Sequence, residues 1–393
     1  MLQFADFKKE RIETAMVEHG LTALVASLPE NIYYMSGYES IGHQILSRNL
    51  IFAVYGVDKN EVSLVIPTAE VPTALERFPN TDIHAFGEFF FTFPAGGIEN
   101  IENIISRREQ DSLRALVKTL HNMGIKRGRV GLDEGRLTPQ LWRGLAEACP
   151  HLEFVHASNI FSQIRMIKHK HEIALLECSA EIAEQSLFAV LPEIKVGTTE
   201  LEIGQRYMEE VVARGAIPYF NVVTIDERSA FSDTINTAQA VKDGSIIRFD
   251  FGCVYQGYSS DLARTAVVGS YEDKVFEYYQ AILFGEEQAV KEIRPGIGAD
   301  VIFRTAVNRT REAGIPHYNR HHCGHGIGLE IYDWPLLAPD VKIPLEAGMV
   351  LCVETPYYEL GWGGIQVEDT VEVTRYGARY LSKSSRELIQ LSI

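Results

Sequence analysis

Cys323-Gly324-His325-Gly326-Ile327-Gly328-Leu329-Glu330 holds one histidine between glycines in a chain of otherwise ordinary composition. A residue without a side chain on either side lets a backbone, a metal or a substrate come close to the imidazole. His325 is therefore presented rather than packed. A lone histidine is by default a satisfied structural one, so the weight falls on what else converges on it. A nucleotide loop through Gly324, Gly326 and Gly328 is a poor competitor. No strand-loop-helix order surrounds these glycines, and an apolar run with Tyr332-Asp333-Trp334-Pro335 follows.

Two other segments rhyme with each other. Asp243-Gly244-Ser245-Ile246-Ile247-Arg248-Phe249-Asp250 and Ala347-Gly348-Met349-Val350-Leu351-Cys352-Val353-Glu354 each run from a glycine through an apolar strand to an acid. A turn and a second acid follow each: Asp261 stands 11 residues after Asp250, and Glu368 stands 14 after Glu354. Such spacings suit hairpins whose paired strands aim side chains at one point. The offset of 104 residues between Asp250 and Glu354 implies an internal pseudo-twofold, each half donating one hairpin with two acids.

Four carboxylates gathered in an apolar interior repel one another and are costly to ionise unless cations neutralise them. Two divalent ions do so. Oxygen ligands plus one imidazole favour Mn, Co or Zn, and carboxylates can bridge ions about 3.5 Å apart. The bland alternative is two acidic β-turns that happen to rhyme, and His325 weighs against it.

These residues resemble the creatinase, aminopeptidase P, prolidase and methionine aminopeptidase group, with its pita-bread catalytic fold. The matching pieces are Asp250-Phe251-Gly252 with Asp261, the stretch from Gly324 to Glu330, the run from Pro344 to Val350, Glu354-Thr355-Pro356, and Gly364 to Thr370. By that resemblance Asp250, His325 and Glu354 are terminal metal ligands, and Asp261 and Glu368 bridge. The likeness is strong over the C-terminal 230 or so residues. It extends loosely over the whole length, as in the two-domain members. It implies an α/β N-terminal domain, 1–160, then an α+β pita-bread domain, 161–393, and a homodimer. The pattern Arg165-x-x-Lys168-x-x-x-Glu172-Ile173 resembles the usual start of the group's second domain.

The expected reaction is hydrolysis of a small peptide amide, as in Xaa-Pro dipeptidases and aminopeptidase P, with Glu354 as general base and acid. Around the ligands this chain departs from the group's pattern. His321 fits the first of three further histidines, and strand alternation aims His322 at the opposite face. Tyr332 stands where the second is expected, Asp233 where the third is, and Gln366 in place of an arginine two residues before Glu368. Tyr332 is expected to donate a phenolic hydrogen bond in place of the imidazole. Asp233 and Gln366 make the pocket more negative, which disfavours a substrate carboxylate and favours a cationic or neutral group. The alternatives are a hydrolase or lyase of a non-peptide small molecule on the creatinase fold, or a non-catalytic binding protein.

Length and composition set the frame. A chain of 393 residues exceeds one comfortable core, and a net charge of -16 argues against nucleic acid and anionic membrane as partners. Five scattered cysteines without a C-x-x-C pair, and no basic-then-apolar leader, give a cytoplasmic expectation.

The periodicity of the first domain predicts a helix over 5–19 ending at Gly20, and strands at 21–26, 48–55, 62–66 and 130–132. Helices are expected near 111–123 and 138–148. The Phe89 to Arg108 segment reads as a mobile excursion, a loop whose phenylalanines plug the local core in preference to the alternative of a substrate lid. In the second domain a long helix begins at Ile164, with Lys168, His169, Lys170 and His171 solvated at its head. Thr199 caps another helix, and two more lie near 272–292 and 298–313.

Overall fold

The structure, a computed structural model, describes residues 6–46, 50–57, 59, 61–94 and 97–392. It divides into two compact units, Met1–Ile164 and Arg165–Ile393.

The first unit is built on a mixed sheet of β1 (Leu21–Ala26), β2 (Phe52–Gly56), β3 (Ser63–Pro67), β4 (Ile83–Phe86), β5 (Gly128–Leu132) and β6 (Leu152–His156). Their order is β4-β3-β2-β1-β5-β6. The helix Asp6–His19 stops at Gly20, whose φ of 63° is the left-handed conformation that closes a helix at little steric cost. Central β1 is apolar apart from Thr22 because it is covered on both faces, and Ala23, Val25, Phe52, Val54, Leu116 and Leu120 share one core. Helices Ser112–Asn122 and Pro139–Ala148 lie where the periodicity predicts them.

Two expectations need correcting here. The second strand begins at Phe52, later than read, and Arg48 and Asn49 lie outside the described residues. Within 89–108, Glu99–Ser106 is a helix, its Ile101, Ile104 and Ile105 recurring at helical spacing after an acidic first turn. The phenylalanines do not plug a core: Phe90 is 85% exposed, and Phe89, Phe91 and Phe93 lean on one another. Ala95 and Gly96 of this segment lie outside the described residues.

The second unit repeats one plan twice. Helices Lys170–Val190 and Glu200–Ala213 precede β7 (Ile217–Ile225), β8 (Ile246–Tyr255), β9 (Tyr258–Ser259) and β10 (Leu262–Val268). Helices Asp273–Glu292 and Ala299–Glu312 precede β11 (Gly324–Gly326), β12 (Asp333–Leu336), β13 (Val350–Glu354), β14 (Tyr357–Glu359), β15 (Gly363–Ile365) and β16 (Glu368–Thr374). The main path through the sheet is β12-β11-β13-β16-β10-β8-β7, so the two hairpins lie side by side. Asp250 pairs with Ala263, Ala263 with Glu368, and Glu368 with Glu354, all across antiparallel ladders. This register lines the acids along one short row at the pseudo-twofold.

Strand alternation decides what faces that row. On β8, Ile247, Phe249 and Phe251 enter the core under the first helix pair, which leaves Arg248 and Asp250 on the other face. On β13 and β16, Leu351, Val353, Val371 and Val373 enter the core under the second pair. Cys352, Glu354, Glu368 and Thr370 are left facing away from it.

The expected helix from Ile164 is broken in two. Ser158–Met166 ends, residues 167–169 run extended with Ile167 bridged to Met349 and Lys168 N–H donating to Gly348, and a new helix starts at Lys170. Lys168 is not solvated: it is buried, with Nζ 3.5 Å from Asp333, which also accepts from Arg165 at 3.0 Å. Glu172 closes a capping box on His169 and accepts from the Tyr258 hydroxyl. The basic residues are there to neutralise a buried acid, which sequence alone places more than 160 positions away.

Candidate active site

His325 sits in the middle of β11 because its flanking glycines let two chains close over it. A Cβ on Gly324 (φ 129°) would lie 2.0 Å from the Cys352 carbonyl oxygen, and one on Gly326 would lie 2.3 Å from that of Trp334. His325 Nδ1 lies 2.9 Å from the Gly326 carbonyl oxygen, which can only accept, so Nδ1 carries the proton. Nε2 is left as a lone pair, 3.4 Å from Asp261 Oδ2. Two acceptors at that distance need a proton or a cation between them.

The structure brings the four acids to the same place. Oxygens of Asp250, Asp261 and Glu368 lie within 4.8 Å of one another, and Glu354 is paired directly opposite Glu368. Glu368 Oε1 is buried with no partner among the described residues. Burial, then the neighbouring charge of Asp261, pushes Asp250 up to about 7. Burial is also the main cause of the rise in Asp261 and of the much larger rise in Glu368. Glu354 goes the other way: burial would raise it, but His322 at Nδ1–Oε1 3.1 Å and Arg320 hold it low. His325 is pulled down by burial and raised by Asp261, and the second effect wins. Carboxylates that resist ionisation, an orphaned buried oxygen and an imidazole lone pair aimed at an acid all fit a site for divalent cations.

A cavity of about 460 Å³ opens on this cluster, lined by all five of these residues together with Asp233, His321, His322, Arg320, Tyr332, Tyr358 and Gln366. Several sequence readings change here. His322 is buried against Glu354 while His321 is exposed, their rings perpendicular with centroids 4.3 Å apart. The two lie in an irregular bend before β11, where alternation by two does not operate, so both reach the cavity. His322 Nδ1 also stands 3.3 Å from the Gly324 N–H. A ring nitrogen cannot both accept and donate, and the shorter contact to a carboxylate assigns it the proton.

Tyr332 lays its ring on that of His325, centroids 3.8 Å apart and planes at 22°, while staying 57% exposed. Burial of its phenol end and the charges of Glu354 and Glu368 push its pKa up, so the hydroxyl keeps its proton. Asp233 is exposed on the cavity wall.

Gln366 is buried and already committed. Its Oε1 accepts from Arg248 at 2.9 Å and from the Tyr358 hydroxyl at 3.2 Å, and its Nε2 donates to Glu368 at 3.2 Å. Arg248 and Arg320 are the residues that sequence reasoning passed over. Arg248 stands two positions before Asp250, as Gln366 stands two before Glu368, and its Nη1 is 3.1 Å from Asp250. The expectation of a site stripped of its arginine is therefore corrected, since two guanidinium groups lie beside the acids. The rhyme of the two hairpins carried this signal, had the residue two before each acid been compared.

Comparison with known proteins follows the same division. Residues 174–375 match the model of metallopeptidase family M24, and residues 8–167 match that of the creatinase/prolidase N-terminal domain. The chain is 29% identical over 386 residues to an Xaa-Pro dipeptidase of Pyrococcus furiosus, covering 97% of this chain and 100% of that one. Among solved structures it is similar to an Xaa-Pro dipeptidase from Bacillus anthracis, with TM-score 0.82, 26% identity, and 98% and 99% of the two chains covered. A prolidase from Pyrococcus horikoshii gives TM-score 0.81 at 27% identity, with 98% and 100% covered.

Proposed function

This chain belongs to metallopeptidase family M24, and on that premise we propose that it is a dinuclear metal-dependent dipeptidase acting on Xaa-Pro or similar small peptide amides, with an altered substrate pocket. The observation that carries the reading is the convergence of Asp250, Asp261, Glu354 and Glu368 on His325 Nε2, with one Glu368 oxygen left without a partner. Asp250, His325 and Glu354 would hold the outer positions and Asp261 and Glu368 would bridge, with Mn, Co or Zn as the ions such ligands suit. Bound ions would supply a polarised carbonyl and a water acidified toward neutral pH.

The chain's own residues account for the rest. Glu354, held ionised by His322 and Arg320, accepts the water proton at a carboxylate oxygen and returns it to the leaving amine. His322, which donates to Glu354, orients that carboxylate, and His321 faces the open cavity where substrate enters. Tyr332, its pKa raised above the ordinary phenol value, keeps a donor proton beside the centre at neutral pH. Asp233 supplies an anion on the wall for the substrate's amino end.

The test is metal analysis of the purified protein alongside hydrolysis of Gly-Pro and Ala-Pro before and after chelation. Up to two divalent ions per chain, and activity lost to chelator and restored by Mn, are expected. A protein that binds no divalent ion and cleaves Xaa-Pro regardless would defeat the reading. A hydrolase or lyase of a non-peptide small molecule is the second reading, favoured by Tyr332 stacked where relatives of the group are expected to place an imidazole.

A further inference from the structure

Two arginines, Arg248 buried and Arg320 half-buried, stand beside the carboxylate cluster, and they differ in how fully they are used. Arg248 has every nitrogen committed. Its Nε donates to the Ser229 carbonyl, its Nη1 to Asp250 and Gln366, and its Nη2 to the carbonyls of Phe231 and Ser232. That residue holds the 229–232 loop and orients Asp250. Arg320, five positions before His325, is the opposite case. Its side chain is 14% exposed and, among the described residues, its Nε is buried without a partner and its nearest acid is Glu354 at 4.0 Å. The guanidinium lies 5.4 Å from the centroid of the Tyr358 ring and forms part of the cavity wall.

A guanidinium with a buried, unused donor is costly unless an anion meets it. Glu354 does not settle that debt once the site is loaded. The four carboxylates carry four negative charges and two divalent ions carry four positive ones, so the cluster is neutral by itself. Arg320 then remains a surplus cation in the lining of a cavity that Asp233 also lines. A free dipeptide has the matching pattern, with an ammonium at one end and a carboxylate at the other. The planar fork of arginine pairs with a carboxylate through two parallel N–H donors, which Gln366, buried and already bonded, cannot offer.

We propose that Arg320 is the specificity residue of this peptidase, receiving the free C-terminal carboxylate of a dipeptide substrate, a role that rests on the proposed metallopeptidase reading. The enzyme is then a dipeptidase by charge. A longer peptide or a C-terminal amide presents a neutral group where Arg320 requires an anion.

The experiment compares Ala-Pro with Ala-Pro amide in wild type, Arg320→Gln and Arg320→Lys, each assayed for metal content. Wild type is expected to prefer the free dipeptide. Arg320→Gln should raise KM for Ala-Pro about tenfold or more without raising KM for the amide, and keep the metal, while any fall in kcat from the lost support of Glu354 is smaller and shared by both substrates. Arg320→Lys should recover part of the loss. Equal rises in KM on both substrates would overturn the proposal, since they would place Arg320 at the reacting atoms or at Glu354; so would an unchanged KM for Ala-Pro. A metal-loaded wild type that cleaves neither compound defeats the peptidase reading instead. Calorimetry of the two ligands then decides the anchor: tighter binding of Ala-Pro than of its amide, lost in Arg320→Gln, supports it, and no discrimination in wild type overturns it.

Discussion

Glu368 carries the plainest sign of an intended cation, a buried carboxylate oxygen with no partner among the described residues, in a row of acids that burial keeps from ionising alone. On the proposed dinuclear reading, replacing it by glutamine, or Asp261 by asparagine, would remove one bridging charge and leave the cations with too few ligands. We expect metal content to fall and turnover to drop at least about a hundredfold, the scale seen when a metal site loses a supporting group; normal metal and normal rate in either variant would remove the bridging assignment. His322 and His321 give a second residue-scale prediction. His322 donates to Glu354 at 3.1 Å, and a hydrogen bond to a charged group contributes about 1.5–3 kcal/mol. His322→Ala should therefore cost roughly tenfold to a hundredfold in kcat/KM, and His321→Ala less. The reverse ranking would mean that the exposed ring, not the buried one, serves the chemistry. The acids and His325 were legible in the sequence because glycine and strand spacing point at them directly. The choice between adjacent histidines was not, since it depends on a bend that has no periodicity.

At the scale of elements, the hairpins were read almost to the residue, because a strand that buries one face must alternate and an acid in that alternation stands out. What escaped was the segment joining helix Ser158–Met166 to helix Lys170–Val190, where three residues run extended instead of helical. Its cause lies far along the chain: Asp333, at the start of β12, is buried between Arg165 and Lys168. Burial alone would raise the Asp333 carboxyl, but Lys168 and Arg165 outweigh it and the pKa is lowered. Lys168 is itself lowered, burial there outweighing the attraction of Asp333. Asp333→Asn would leave Lys168 buried with only the weaker attraction of Glu172 against it, and breaking such a buried pair costs about 3–5 kcal/mol. A urea titration should show the midpoint fall accordingly, and a change within experimental scatter would mean that the network relaxes around water. The sign with pH follows from the lowered carboxyl. Its contribution is present above the ordinary carboxylate range, near pH 4, and is lost as pH falls further. Wild type should therefore show an acid-sensitive component that Asp333→Asn lacks.

For the whole molecule, the acid excess that set a net charge of -16 meets the buried carboxylates of the centre in one measurable quantity, stability against pH with and without metal. In the chelated protein Asp250 is raised to about 7 and Asp261 and Glu368 are raised as well. A group whose folded pKa lies above its unfolded one favours the folded state at low pH, and that favour is lost as pH climbs through the folded value. Each such carboxyl contributes a slope of up to about 1.4 kcal/mol per pH unit. Chelated protein should thus lose stability from about pH 4 to about pH 7, beyond what general charge repulsion produces. Metal-loaded protein must behave oppositely over the same window, because its ligands have to be deprotonated to hold the ions. Thermal melts of the two forms should diverge as pH rises, and Glu368→Gln should flatten the chelated curve by removing one of its raised acids. Parallel curves would mean that the four carboxylates are neutralised by something other than divalent cations, and the metal assignment, from which the rest of the chemistry follows, would have to be given up.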